Sequence, residues 1–211
     1  MQQKEISKSV LKRLPVYLSY LKAQTDGPAN ISATALATAL NLGEVQVRKD
    51  LAMVSDGGRP KIGYNRIGLI DDIEQFLGYD NTNDAVIVGA GGLGGALMGY
   101  TGFAEYGLNI VAAFDVNPDL VGKVKSGKRI YPLEDLPQFC VEHKILMGII
   151  TVPAEHAQAV CNMLIDSGIL AIWNFAPVHL DVPAGILVQN ENMATSLAVL
   201  SKHLSVQIGT L

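Results

Sequence analysis

Six consecutive residues, Gly89-Ala90-Gly91-Gly92-Leu93-Gly94, follow the pattern G-x-G-x-x-G. Such a loop binds phosphate without a charged side chain. Its first glycine permits a tight turn, its second lets the backbone approach a pyrophosphate, and its third lets the following helix pack closely on the strand. In a chain with 21 glycines the pattern alone is weak, and context supplies its weight. The apolar run from Ala85 to Val88 precedes it, a helical pattern follows, and Asp115 stands 21 positions beyond Gly94 at the end of a second apolar run. The N–H groups opening that helix, and its dipole, favour the charge of a phosphate. A carboxylate at Asp115 would accept hydrogen bonds from ribose hydroxyls and repel a 2′-phosphate. No Arg or Lys lies between Val116 and Val121 to welcome one, so the sequence selects NADH and NAD+ over their 2′-phosphorylated counterparts. Another adenine nucleotide, such as coenzyme A, stays open.

Two further segments belong with this loop. Thr151-Val152-Pro153-Ala154 ends one apolar run and opens a helix, and Asn174-Phe175-Ala176-Pro177 does the same one unit later. Ligands of open α/β sheets bind outside the carboxyl ends of the strands. Thr151, Val152, Pro153, Asn174 and Phe175 are therefore expected to line the nicotinamide half, with Tyr100, six residues after Gly94, within reach of it. An oxidoreductase would need a proton donor there as well. Of the four histidines, His143 and His203 fall in exposed helical contexts. His156 and His179 fall nearer the crevice, and none is paired with a carboxylate in a recognisable motif. Few residues follow Val188, too few for a substrate domain. No catalytic set and no metal site is expected, and a dehydrogenase with an appended N-terminal domain is the alternative.

A second set of residues suits a different polymer. In Glu44-Val45-Gln46-Val47-Arg48-Lys49-Asp50, apolar residues point inward, and Gln46, Arg48 and Lys49 project from the exposed side of a helix start. That is the part of a recognition helix that meets base edges. Arg or Lys can bond guanine O6 and N7, and Gln can pair with adenine. Arg59 and Lys61 follow in a glycine-punctuated segment, suited to phosphates or a narrow minor groove of double-stranded DNA. Charge agrees: residues 1–66 hold ten Lys/Arg against five Asp/Glu, while residues 67–211 hold six against fifteen. A basic first third on an acidic remainder fits a DNA-contacting module on an unrelated body.

The elements that must position these residues are legible in outline. Leu14, Leu18 and Leu21 repeat at i, i+4 and i+7 and predict a first helix, with Pro15 in its first turn or at a break between two short helices. Residues 25–30, with Asp26, Gly27 and Pro28, predict a turn. Ser32 caps a helix over 33–40, Asn41-Leu42-Gly43 turns, and a helix over 44–54 buries Val47, Leu51 and Val54. This is a helix-turn-helix. Residues 57–64 predict a β-hairpin wing, residues 67–77 a helix with Ile70, Ile73 and Leu77 inward, and the polar loop 78–83 a domain boundary. Beyond it, strand-like runs at 85–88, 109–114, 145–151 and 169–173 alternate with helical stretches at 93–106, 133–143 and 154–166. Such alternation implies a parallel sheet covered by helices. A short strand at 186–188 and a helix over 191–208, with Met193, Leu197, Leu200 and Leu204 on one side, complete the chain. The expected class is α/β: a winged helix-turn-helix domain with linker helix over 1–80, a Rossmann-type parallel-sheet domain over 81–190, and a C-terminal helix over 191–211.

Composition narrows the setting. At 49% apolar and 17% charged residues the chain suits a packed protein and excludes extended disorder. Its longest apolar stretch, 145–154, is too short to span a bilayer, so no membrane partner is expected. Residues 1–13 contain no apolar signal core. Two cysteines, Cys140 and Cys161, argue against a disulfide framework or a four-cysteine zinc site and fit a reducing cytoplasm.

Taken together, these segments resemble the Rex family of redox-sensing transcriptional repressors. The likeness runs over nearly the whole chain. It includes Arg13-Leu14-Pro15-Val16-Tyr17-Leu18, Gln46-Val47-Arg48-Lys49-Asp50-Leu51, Gly63-Tyr64-Asn65, the glycine loop, Phe114-Asp115-Val116, Thr151-Val152-Pro153-Ala154 and Asn174-Phe175-Ala176-Pro177-Val178. The resemblance implies a homodimer that represses transcription at an inverted-repeat operator and releases it when NADH accumulates. It further implies that the C-terminal helix is exchanged with the partner, near its winged domain, and that Tyr100 and Phe175 sit near the nicotinamide. Departures are visible too. Many members carry Asn at Gly92, Arg at Ser19, and Tyr-Phe-Gly where this chain has Met53-Val54-Ser55.

Overall fold

The computed structural model describes residues 7–81 and 83–209; the Met193 side chain, assigned by pattern to the inner face of the terminal helix, lies outside the described residues. Contacts divide the chain into two units, Met1–Asn81 and Thr82–Leu211.

In the first unit, helix α1 (Lys8–Ala23) is capped by the Ser7 hydroxyl and buries Val10, Leu14, Tyr17, Leu18 and Leu21. Pro15 lies in its middle, not in a first turn or at a break. The ring removes the bond to the Leu11 carbonyl, but Leu11 is 40% exposed, so water can replace the missing donor. Burial of the opposite stripe keeps the helix continuous. Strand β1 (Asn30–Ile31) leads to α2 (Ala33–Ala39), capped by Ser32, and then to α3 (Glu44–Val54). Between the two helices Asn41 takes φ +53, a left-handed conformation that Asn tolerates better than most residues. Strand β2 (Tyr64–Asn65) and α4 (Arg66–Leu77), capped by Asn65, complete the unit.

The wing is smaller than the expected hairpin. A single bridge joins Arg59 to Gly63, and β2 pairs antiparallel with β1, Ile31 opposite Tyr64. Gly63 permits this arrangement: at φ +86, a Cβ there would lie 2.3 Å from the Ile31 carbonyl oxygen. Residue 30, expected in a turn, therefore begins a strand.

The second unit is built on β3 (Asn83–Val88), β4 (Leu108–Asp115), β5 (Val124–Lys125), β6 (Lys128–Pro132), β7 (Met147–Ile150), β8 (Ala171–Asn174) and β9 (Leu187–Asn190). Their spatial order is β5-β6-β4-β3-β7-β8-β9, with β5 antiparallel at one edge and the rest parallel. Among the six parallel strands, counted along the chain, the order is 3-2-1-4-5-6, that of a doubly wound dinucleotide-binding sheet. Parity along β3 shows that both faces are covered. Val86 and Val88 join one core with α6 (Leu136–His143) and α7 (Ala154–Asp166), while Ala85 and Ile87 join another with Met98 of α5 (Gly92–Gly99).

Two departures from the sequence pattern have local causes. The helix expected over 93–106 ends at Gly99, and residues Thr101–Tyr106 form a 3₁₀ turn closed by left-handed Gly107. The β5–β6 hairpin was not expected, because its strands are short and mostly polar. Its signal was the turn Ser126-Gly127, where both residues have positive φ, as a tight hairpin turn of primed type requires. Helix α8 (Met193–Gly209) ends the chain, and every side chain described along it is exposed.

Candidate functional site

Parallel register aligns the strand ends. Val88 stands opposite Phe114 on one side and Ile150 on the other, and Ile150 stands opposite Asn174. The residues at these ends are Gly89, Asp115, Thr151, and Asn174 with Phe175. The sheet therefore brings the four sequence-separated segments to one edge, at the point where strand order reverses between β3 and β7.

The glycine loop is fixed there by a turn, a tie to β7 and a close approach of α5. Gly89 turns at φ +97. The Thr151 hydroxyl lies 2.7 Å from the Gly89 carbonyl and 3.0 Å from that of Val88, tying the loop to β7. A Cβ on Gly94 would stand 1.8 Å from the Gly89 oxygen, so only glycine lets α5 approach the strand this closely. Around Gly91 and Gly92, by contrast, an added Cβ would meet no protein atom within 4 Å. The backbone opening α5 thus faces free space, which is what a pyrophosphate needs beside a helix N-terminus. These residues fit the phosphates of a dinucleotide. Leu93 is half-exposed beside them, and Ala90 is buried.

Asp115 does more than the pattern predicted. Its Oδ2 accepts the Ala90 N–H at 2.6 Å and its Oδ1 accepts the Asn117 N–H at 2.8 Å. The carboxylate braces the glycine loop from β4. Each oxygen keeps acceptor capacity for a ribose hydroxyl.

Tyr100 and Phe175, both expected from sequence near a nicotinamide, are linked by two aromatics that the pattern missed. Tyr100 meets Phe103 edge-on at 4.8 Å, Phe103 meets Trp173 at 5.6 Å, and Trp173 meets Phe175 at 4.8 Å between ring centroids. Period-2 alternation along β8 was the available signal for Trp173, which shares a face with Phe175. The indole N–H donates to Glu191 at 2.9 Å. Asn174 departs from its expected role: its side chain is fully buried and engaged with the Ala176 N–H and the oxygens of Ala176, Val178 and Asn190. It shapes the loop rather than presenting an amide to a ligand. Val152 is partly buried and Pro153 exposed at the start of α7.

In the first unit, Gln46, Arg48 and Lys49 all lie exposed on the first two turns of α3, with Arg48 ion-paired to Glu44. Arg59 and Lys61 are exposed at the wing. Lys61 holds φ +64, a conformation costing a non-glycine residue about 1–2 kcal/mol. Behind α3, Arg13 forks onto Asp50, Nε to Oδ2 at 2.7 Å and Nη2 to Oδ1 at 2.9 Å, and the Tyr17 hydroxyl donates to Oδ2 at 2.8 Å. Asp50 is only 3% exposed. Removing Arg13 would leave the buried Asp50 carboxylate without its ion partner, a destabilising loss. Burial first, and then Asp50, push Tyr17 up to about 12. The hydrogen bond to Asp50 also raises Arg13. Sequence reading missed this bracket because Asp50 looked like part of a charged face.

The model described as "Putative DNA-binding protein N-terminus" matches residues 5–52, and that described as "CoA binding domain" matches residues 80–178. The redox-sensing transcriptional repressor Rex of Bacteroides thetaiotaomicron is 40% identical over 202 residues, 95% of this chain and 92% of that one. The chain belongs to the Rex family. Rex of Treponema denticola is 40% identical over 200 residues, 94% of this chain and 95% of that one. The Rex-family repressor RSP, solved with β-NAD+ and operator DNA, superposes with a TM-score of 0.91 at 33% identity, covering 97% of this chain and 95% of that one. RSP with β-NADH gives a TM-score of 0.87 at 33% identity, with 97% of each chain covered.

Within this Rex-family framework, sensing by thiol chemistry finds no support. Cys140 and Cys161 are buried in the sheet core, where desolvation pushes Cys140 up to about 11 and also raises Cys161. Among the described residues, no group of three His, Cys, Asp or Glu side chains is placed to hold a metal ion, and no helix is long and apolar enough to cross a membrane.

Proposed function

We propose that this chain is a DNA-binding transcriptional repressor whose operator affinity is set by NADH in competition with NAD+. The observation that carries this is a Rex-family chain whose glycine loop keeps the geometry a dinucleotide needs: Gly94 packed against Gly89, open space at Gly91 and Gly92, and Asp115 at the neighbouring strand end. Gly89, Ala90, Gly91, Gly92, Leu93 and Gly94 would hold the pyrophosphate through backbone N–H groups. Asp115 would hold the adenine ribose. Thr151, Val152, Pro153, Tyr100 and Phe175 would surround the nicotinamide, with Asn174 shaping their loop. NADH and NAD+ differ by one positive charge on that ring, and a largely apolar surround disfavours the cation. No residue is assigned a catalytic role.

Gln46, Arg48 and Lys49 would enter a major groove, and Arg59 and Lys61 would meet phosphates. An inverted-repeat operator asks for two copies. Helix α8 supports a homodimer: Leu197, Leu200 and Leu204 are 62%, 65% and 53% exposed, and most of a helix's stability in a protein comes from packing its apolar face. A shallow apolar groove on the first unit, lined by Pro15, Val16, Ser19, Tyr20, Ala23 and Leu40, is the proposed seat for α8 of the second copy. NADH would shift the population between two arrangements of that dimer.

The test is fluorescence anisotropy of a labelled duplex carrying an inverted repeat, at fixed salt, titrated with protein and then with NADH or NADPH. Release by NADH and not by NADPH is expected. Binding that ignores NADH would leave a DNA-binding protein with another ligand. Steady NADH consumption with small carbonyl compounds would restore the oxidoreductase alternative.

A further inference from the structure

Arg13 turns its guanidinium towards the recognition helix as well as towards Asp50. One terminal atom of the Gln46 amide lies 2.8 Å from Arg13 Nη1 and 3.2 Å from both Nε and Nη2. Near-equal distances to all three nitrogens place that atom over the face of the cation, where the positive charge favours the amide oxygen and turns the NH2 away. The cation cannot swing aside, because the buried Asp50 carboxylate holds it in a two-pronged fork that Tyr17 completes. Gln46 itself is exposed, at the third position of α3.

This orientation changes what Gln46 can read. A freely rotating amide offers one acceptor and one donor, which matches N6 and N7 of adenine. An amide whose oxygen is turned onto a guanidinium presents its NH2 donors on the outward side. Guanine presents two acceptors, O6 and N7, on its major-groove edge, whereas the N6 amino group of adenine would meet another N–H.

We propose, resting on the reading of this unit as DNA-binding, that Arg13 and Asp50 lock Gln46 as a donor-only reader of guanine. The adenine pairing expected from residue type alone is thereby reversed. Arg13 acts through Gln46 and is a positioning residue.

The test uses the full chain and a labelled inverted-repeat duplex at fixed salt, each base pair of the half-site being substituted in turn for wild type and Gln46→Ala. The position at which Gln46→Ala loses discrimination carries guanine. Placing 7-deazaguanine there weakens wild type about tenfold and leaves Gln46→Ala unchanged. Gln46→Lys, still donor-only, keeps the guanine preference, and Gln46→Glu, which offers only acceptors, loses it. Arg13→Met frees the amide and admits adenine at that position; should this variant melt too low, the Lys and Glu variants carry the test alone. The proposal is overturned if the Gln46-dependent base is an adenine needing both N6 and N7, or if Gln46→Ala changes no position while the repeat is still preferred. Loss of any preference for the repeat over random duplex in wild type would overturn the DNA-binding reading, and the lock with it.

Discussion

Gly94→Ala tests the cofactor site most directly. The new methyl would stand 1.8 Å from the Gly89 carbonyl oxygen and 2.8 Å from the Thr151 hydroxyl. Ordinary C···O contact needs about 3.2 Å, so helix and loop must separate by roughly 1.4 Å, and overpacking of this kind costs about 1–3 kcal/mol of stability. The same movement pulls the N–H groups opening α5 away from the phosphates. Hydrogen bonds to charged groups are worth about 1.5–3 kcal/mol each, so losing one weakens NADH binding roughly 10- to 150-fold. Gly92→Ala is the control for the fold alone: its Cβ meets no protein atom within 4 Å, so melting should match wild type, although Gly92 itself belongs to the proposed phosphate loop. The chain has one tryptophan, Trp173, in the aromatic row beside the proposed nicotinamide position, so quenching of its emission reports NADH binding. Thermal melting reports the fold. If Gly94→Ala melts with wild type and binds NADH within about threefold of it, the close-packing argument is wrong.

Three further perturbations address other parts of the molecule. Asp115→Asn replaces one of two acceptors, each now receiving a backbone N–H, with an amide NH2; NADH affinity should fall about tenfold and the preference for NADH over NADPH should narrow, measured by the same titration. Lys61→Gly relieves the left-handed strain and should raise stability by up to about 1 kcal/mol while reducing the slope of log affinity for DNA against log salt by about 0.9, the loss of one phosphate contact. Tyr17 ionises near its ordinary value of 10.0 when unfolded and at about 12 when folded, so its contribution is full below pH 10 and lost as pH climbs to 12. Alkaline denaturation followed by tyrosinate absorbance should show that slope, and Tyr17→Phe should flatten it; an unchanged slope would remove Tyr17 from the account.

How much of this was legible in the sequence depended on whether a residue's task was local. The α3 limits at Glu44 and Val54 and the α7 limits at Ala154 and Asp166 follow from periodicity and turn residues. The glycine loop was legible because backbone close approach demands a residue type at a fixed spacing. Pro15 was misplaced because tertiary burial of five side chains outweighs a local breaker. The fork of Arg13 on Asp50 spans 37 residues and the Thr151 tie to Gly89 spans 62, and no local pattern encodes such pairs. Asn174 reads as a ligand contact by position, and only its burial reveals a structural part.

A sensor with inert thiols can respond only through differential binding. Cys140, held at about 11, is thiolate in only about one molecule in ten thousand at neutral pH. Moving a two-state equilibrium from 1:99 to 99:1 takes about 5.5 kcal/mol of differential affinity. A single charge on one nicotinamide ring, beside a half-open row such as Tyr100–Phe103–Trp173–Phe175, is a weak source for all of it. Tyr100 alone is 54% exposed, and solvent at that edge would screen a cation bound there. On the proposed homodimer, two sites acting together would halve the demand to about 2.7 kcal/mol each, within reach of partial desolvation of a cation. Covering the exposed rings with a second copy would also raise the discrimination each site achieves, because the surround becomes drier. On the proposed homodimer, the exposed apolar α8 and the exposed Tyr100 would answer one requirement: two copies would supply the switch's energy as well as match a two-fold operator.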